Sequence, residues 1–258
     1  MCRMIMALGD FDPGPVVDGL LLMASDQNEK HECNRCCKGG QGSFTHRDGW
    51  GALEYDGRDF KITRSDLFCV EDSSINALKS DYSRLLVLHA RKHSSGTRAI
   101  PDPHPFLKTI NGQDFFFCHN GTVWDDLNDA RAFEPDGDTD SERLFSVLLK
   151  GYLDQGLTGL KRRLWELREF SGASFFFGSR DFACACTYYN MDRSTIRLKP
   201  PTPRPSYYTL KTANTGNAIF ISSETVPMPK VSEWNRLERG RIVIIDQENL
   251  SCRLEQIY

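Results

Sequence analysis

The sequence has no apolar run approaching the ~18 residues that a membrane-spanning helix needs. The longest apolar stretch near its start, Val16 to Ala24, is short and follows acidic residues, so it does not read as a secretory signal. Repeats, heptads and low-complexity tracts are also missing, which argues against a solenoid or a coiled coil. Charge of one sign is scarce. Against 35 Asp plus Glu stand 32 Lys plus Arg, a net charge of −3. Such a balance gives no electrostatic reason to expect nucleic acid or an anionic membrane as a partner. The cytoplasm is the expected compartment, and a small molecule or a protein the expected partner.

A regular cysteine framework is lacking as well. The nine cysteines, at 2, 33, 36, 37, 69, 118, 184, 186 and 252, are odd in number and leave a thiol outside any intrachain disulfide set. A reducing compartment with mostly buried thiols is the expectation.

What is present is ordinary globular material: 258 residues, 40% hydrophobic and 26% charged, enough for a sizeable core. Cys2 to Leu8 reads as a buried strand ending at a Gly9-Asp10 turn, and Pro15–Ala24 as a helix with Val16, Leu20 and Met23 on one face. The polar, Gly-rich, Cys-containing residues 26–48 read as a long loop. Strands are expected at Gly51–Tyr55, Phe60–Thr63, Arg84–Ala90 and Asp114–Cys118, then helices at Asp140–Leu153 and Leu157–Phe170. Further strands follow at Ala173–Gly178, Phe182–Tyr189, Tyr207–Thr212, Ala218–Ser222 and Arg241–Asp246. This order fits antiparallel sheets with helices packed on them, an α+β layering. The runs Phe115-Phe116-Phe117 and Phe175-Phe176-Phe177 predict strands buried on both faces, with the sheets inside.

Chemistry begins at the terminus. A small second residue permits removal of Met1, which leaves Cys2 with a thiol and an α-amine on one residue. A site that lowers the amine pKa lets it act as base for its own nucleophile. Arg91, in His89-Ala90-Arg91-Lys92-His93-Ser94, offers a bidentate fork to a carboxylate or a surface salt bridge; the residue alone does not choose. His119-Asn120-Gly121 is first a hairpin signal. Alternatively, the Asn120 amide and the Gly121 N–H serve a developing oxyanion. Thr139-Asp140-Ser141-Glu142 has capping-box spacing. Its Asp140 is then either helix punctuation or a carboxylate for an ammonium group.

Together with His46-Arg47-Asp48-Gly49-Trp50-Gly51 and His104-Pro105-Phe106, these strings resemble the class II glutamine amidotransferases in their stand-alone form. Ser222-Ser223-Glu224 and Trp234 loosely resemble a late family pattern. The resemblance implies a four-layer αββα sandwich, the N-terminal-nucleophile hydrolase fold, as a single domain over 2–258 with an insertion-like loop at 26–47. It implies that Cys2 attacks a γ-glutamyl amide and that Asn120 and Gly121 form the oxyanion hole. Arg91 would bind the substrate α-carboxylate with help from Ser94, and Asp140 the α-ammonium. Glutamine or a γ-glutamyl small molecule is the implied substrate, a separate synthetase or acceptor subunit a potential partner, and no cofactor is required. Lys92, His93 and Thr225-Val226 depart from the family pattern. The rival reading is a metal- or redox-responsive regulatory subunit using His31, Cys33, Cys36 and Cys37, with Cys184 and Cys186 alternating onto one strand face.

Overall fold

Phe115, Phe116 and Phe117 are all fully buried, but against different partners. The outer two pack toward a helix and the middle one toward a second sheet. Alternation along a strand forces this division, and it recurs at Phe175, Phe176 and Phe177. The computed structural model describes residues 2–29, 42, 44–92, 104–127, 131–137, 139–192 and 205–258.

In chain order the elements are β1 (Arg3–Gly9), α1 (Pro13–Ala24), β2 (Trp50–Tyr55), β3 (Phe60–Ser65), a 3₁₀ segment (Ser73–Lys79), β4 (Leu85–Ala90), β5 (Phe106–Ile110) and β6 (Gln113–Val123). There follow α2 (Asp140–Trp165), β7 (Phe170–Gly178), β8 (Phe182–Thr187), β9 (Lys211–Asn214), β10 (Ala218–Ser222), β11 (Asn235–Arg236), β12 (Arg241–Asp246) and β13 (Cys252–Gln256). A seven-stranded sheet runs β11-β9-β10-β1-β4-β2-β3, and a six-stranded sheet runs β13-β12-β8-β7-β6-β5. Neighbouring strands pair antiparallel throughout.

The packing gives four layers. Val16, Val17, Leu20 and Met23 of α1 cover Ile5, Ala7, Leu86 and Leu88 on the outer face of the first sheet. Met4, Met6, Leu85 and Val87 on its inner face meet Phe116, Cys118, Phe176 and Ala185 of the second sheet. Leu144, Phe145 and Leu148 of α2 cover the far side of that sheet, where Phe145 stacks on Phe117 with ring centroids 5.2 Å apart. The αββα sandwich expected from the sequence is the fold observed.

Local differences have physical causes. The strand expected to stop at Cys118 continues through Asn120 and Gly121 to Val123, pairing Asn120 with Ser174 and Gly121 with Ala173. The Asn-Gly pair is therefore strand interior and not a hairpin turn. The segment expected as a strand from Tyr207 starts instead in a 3₁₀ turn, Pro205–Tyr208, and the strand begins at Lys211.

The two expected helices appear as the arms of α2, broken at Gln155 and Gly156, where Gly156 has φ 59°. The second arm stops at Trp165, because Phe170 already belongs to β7. The arms fold back and touch through glycines: a Cβ on Gly159 would lie 2.0 Å from the Gly151 carbonyl oxygen, and one on Gly151 2.6 Å from that of Gly159. Gly159→Ala should therefore force the arms apart and cost at least the ~1–3 kcal/mol typical of overpacking. A urea-unfolding midpoint equal to that of the wild type would contradict this close approach.

Candidate active site

Four chain segments meet at one end of the sandwich. Antiparallel pairing sets the start of β1 against the end of β4, with Arg3 opposite Ala90, so Cys2 lies near Arg91. The backbone nitrogen of Cys2 donates to Asn120 Oδ1 at 2.9 Å, bringing the end of β6 across the inter-sheet layer. Asp140 Oδ2 accepts the Val123 N–H at 2.8 Å, which fixes the first turn of α2 beside the same strand end. Cys2, Arg91, Asn120, Gly121 and Asp140 are thus brought together at this end of the sandwich. Ser94 lies outside the described residues, as do His31, Cys33, Cys36, Cys37 and His93.

The Asn120 side chain is fully buried. Its Oδ1 is used by Cys2, while its Nδ2 has no hydrogen-bond partner among the described residues. Such a donor is costly to bury and is tolerated mainly where function uses it. Gly121 has no room for a side chain, since a Cβ there would fall 1.7 Å from the Gly172 carbonyl oxygen. His119 ties this stretch down through Nδ1 to Ser141 Oγ at 2.9 Å and Nε2 to the Gly172 carbonyl at 3.2 Å. Because a carbonyl only accepts, Nε2 carries the hydrogen and Nδ1 accepts from the serine.

Charges around the Cys2 thiol favour its ionised form. Burial alone would raise its pKa. The positive chain terminus, the nearby His89 and the Lys92 backbone outweigh that effect and lower it to about 6. The other buried thiols go the opposite way. Burial pushes Cys69 up to about 12 and raises Cys118, Cys184 and Cys186 as well. Cys184 and Cys186 do share a face, but that face is apolar core under α2, so they supply no thiolate pair for a metal. Among the described residues no group of His, Cys, Asp or Glu is arranged to hold a metal ion. Burial draws the Arg91 pKa down, while the negative charges of Cys2, Asp48 and Asp140 raise it, which places all four groups in one electrostatic neighbourhood.

The residues behind the site were less legible. Arg3 is buried between the Tyr207 ring, 3.9 Å from its guanidinium carbon, and Glu224, at 2.7 Å. The Tyr207 hydroxyl reaches His46 Nε2 at 2.9 Å. Lys92, which departs from the family pattern, donates to the Thr45 carbonyl at 2.8 Å and sits over the Phe44 ring, holding the 44–46 segment against the end of β4. Thr139 caps α2 by accepting the Glu142 N–H at 3.2 Å. The Glu142 carboxylate, however, takes the Asp136 and Gly137 N–H groups, so the observed bonds differ from a reciprocal capping box. His89, expected to be a core residue, is buried but adjoins the Cys2 sulfur. Its position on the inner face, with Leu85 and Val87, is the signal that alternation along β4 supplied.

No helix among the described residues is long and apolar enough to cross a membrane. The profile of the class II glutamine amidotransferases matches residues 20–170. YafJ of Escherichia coli, provisionally named a glutamine amidotransferase, is 36% identical over 118 residues, covering 43% of this chain but only 44% of YafJ. A Haemophilus influenzae protein with a similar provisional name is 32% identical over 229 residues, 77% of this chain and 73% of that protein. Among solved structures, the glutamine phosphoribosylpyrophosphate amidotransferase of B. subtilis superposes with a TM-score of 0.67 at 14% identity, over 100% of this chain and 49% of that enzyme, which shows the shared fold. Family profile, the relative covered over most of its length and the four-layer sandwich agree: the chain belongs to the class II glutamine amidotransferases, on the N-terminal-nucleophile hydrolase fold.

Proposed function

We propose that the chain cleaves the side-chain amide of glutamine, or of a related γ-glutamyl compound, through a thioester on Cys2. The observation that carries this reading is the buried, unpartnered Asn120 Nδ2 beside the Cys2 backbone nitrogen. The reading takes residues 2–258 as one catalytic domain with 26–47 as an insertion-like loop.

Removal of Met1 turns the nitrogen that donates to Asn120 Oδ1 into an amine, held by the same oxygen. That amine accepts the thiol proton as Sγ attacks the amide carbon. The carbonyl oxygen gains negative charge and receives hydrogen bonds from Asn120 Nδ2 and the Gly121 N–H, an arrangement in which one donor is worth about 10²–10³ in rate. The C–N bond then breaks, and the α-ammonium returns its proton to the leaving ammonia or amine. Water hydrolyses the thioester to glutamate, or another acceptor takes the acyl group. Arg91 pairs with the substrate α-carboxylate and Asp140 with its α-ammonium, and Ser94 assists near Arg91. Ammonia released in this way suits a separate synthetase or acceptor subunit.

Protein whose intact mass places Cys2 first should release glutamate from glutamine or at least one γ-glutamyl compound, and Cys2→Ala should release none. Full turnover by the alanine variant would end the thioester mechanism. Because the site favours the ionised thiol, the acid limb of kcat/KM should lie below the ordinary thiol range. A profile with its acid limb near the ordinary thiol range would contradict the assigned environment. Gly121→Ala should cost both stability and at least ~100-fold in kcat, since it displaces the strand that carries the oxyanion donors; retained kcat would separate Gly121 from the chemistry.

A further inference from the structure

We propose that the hydrogen bond between His119 and Ser141 sets the distance between the two ends of the substrate. It holds the Asp140 carboxylate in register with the oxyanion donors of Asn120 and Gly121. The site thereby selects amides whose α-ammonium lies one glutamyl chain away from the reacting carbonyl. The inference rests on the roles proposed for Asn120, Gly121 and Asp140, and it makes His119 and Ser141 positioning residues for a reaction they do not touch.

The sheet alone does not fix this register. β6 pairs with β7 as far as Thr122, opposite Gly172, and the register then shifts before Val123. At the shift, side chains take over the strand's N–H groups: Thr122 donates to Ser171 Oγ at 3.1 Å and Val123 to Asp140 Oδ2 at 2.8 Å. The oxyanion donors thus stand just before an irregularity in the ladder, and the head of α2 is one of the groups that holds it.

Alternation along β6 lets one ring join both elements. Cys118 faces the layer between the sheets and Phe117 the layer under α2. Asn120 accordingly reaches Cys2, while His119 reaches α2. The His119 ring is buried and lies nearly parallel to Phe117, with centroids 6.1 Å apart. Its Nε2 donates to the Gly172 carbonyl at 3.2 Å, and its Nδ1 accepts from Ser141 Oγ at 2.9 Å. That carbonyl is the group that leaves no room for a Cβ on Gly121. One nitrogen therefore grips the backbone packed against the oxyanion strand, and the other grips the first turn of α2. Burial, opposed by the charge of Asp140, lowers the His119 pKa below the usual histidine range, so Nδ1 keeps the lone pair that the serine needs.

Asp140 and Ser141 are adjacent, and each is tied to β6 by its side chain. One hydrogen bond would leave α2 a pivot on the strand; two from neighbouring residues fix its orientation as well. Loss of the serine bond frees the carboxylate to swing about the Val123 N–H, while Asn120 and Gly121 stay in the strand.

The test compares substrates with and without the α-amine, using protein with a verified Cys2 terminus. Glutamine is set against glutaric acid monoamide, and γ-glutamyl anilide against glutaryl anilide. The wild type should prefer the amine-bearing member by roughly 10- to 100-fold in kcat/KM, the worth of a hydrogen-bonded charge, and Asp140→Ala should lose that preference. Ser141→Ala should reduce the preference about fivefold, through a higher KM for the amine-bearing substrate. Two replacements of the imidazole separate its bonds. His119→Gln, whose Nε2 can still donate to Gly172 but which leaves Ser141 without its acceptor, should match Ser141→Ala. His119→Asn, whose Oδ1 stands in for Nδ1, should keep more of the preference. A folded Ser141→Ala with the wild-type preference, or with equal losses on both members of a pair, would overturn the proposal. Should Ser141→Ala not fold, the two His119 variants decide, and an equal or reversed order overturns it. A wild type without preference, or an Asp140→Ala that keeps it, would instead remove the role given to Asp140.

Discussion

The hydrogen bond from the Cys2 backbone nitrogen to Asn120 Oδ1 is the constraint on which the rest of the site depends. Apolar packing between the sheets, through residues such as Met4, Met6, Phe116 and Phe176, favours contact but has no directional preference. A buried polar bond has both distance and angle, so it fixes where the two sheets stand relative to each other at this end. It also decides which half of the Asn120 amide is left over. With Oδ1 committed, the donor nitrogen is the group left without a partner among the described residues, and Gly121, which cannot carry a Cβ against Gly172, follows directly in the strand.

Behind that bond lies a charge network that keeps β1 in place. Arg3 pairs with Glu224, whose second oxygen takes the Asn28 amide at 2.9 Å and the Glu29 N–H at 3.1 Å. Glu29 in turn takes Thr225 through both N–H and hydroxyl and pairs with Lys211, which also donates to the Ser223 carbonyl at 2.7 Å. Ions removed from water persist when each is multiply bonded, and here the bonds join the start of β1, the end of β10 and residues 28–29.

Much of this was legible in the sequence because alternation and motif order are local properties. The triple-Phe runs showed sheets buried on both faces, and the separated strings around Cys2, Arg91, Asn120 and Asp140 marked residues that the fold brings together. What local patterns could not show was the partner across a gap in sequence. Asn-Gly reads as a turn because turns are its commonest use. Only the approach of Gly172, 51 positions after Gly121, makes it strand. His89 reads as core because nothing nearby in sequence shows that Cys2 and His104 lie on either side of it. Tyr207 reads as strand for the same reason: its work, between Arg3 and His46, is tertiary.

The glycine crossing in α2 extends the site's reach well beyond its visible edge. Gly151 stands 11 residues after Asp140 along one arm, a rise of about 16 Å at 1.5 Å per residue. The two backbones meet there with no side chain between them, so the contact has a tolerance smaller than one methyl group. It fixes where the two arms stand along each other, and Asp140 heads the first of them. The residues at 151 and 159 are thus constrained by the approach of two backbones instead of by chemistry.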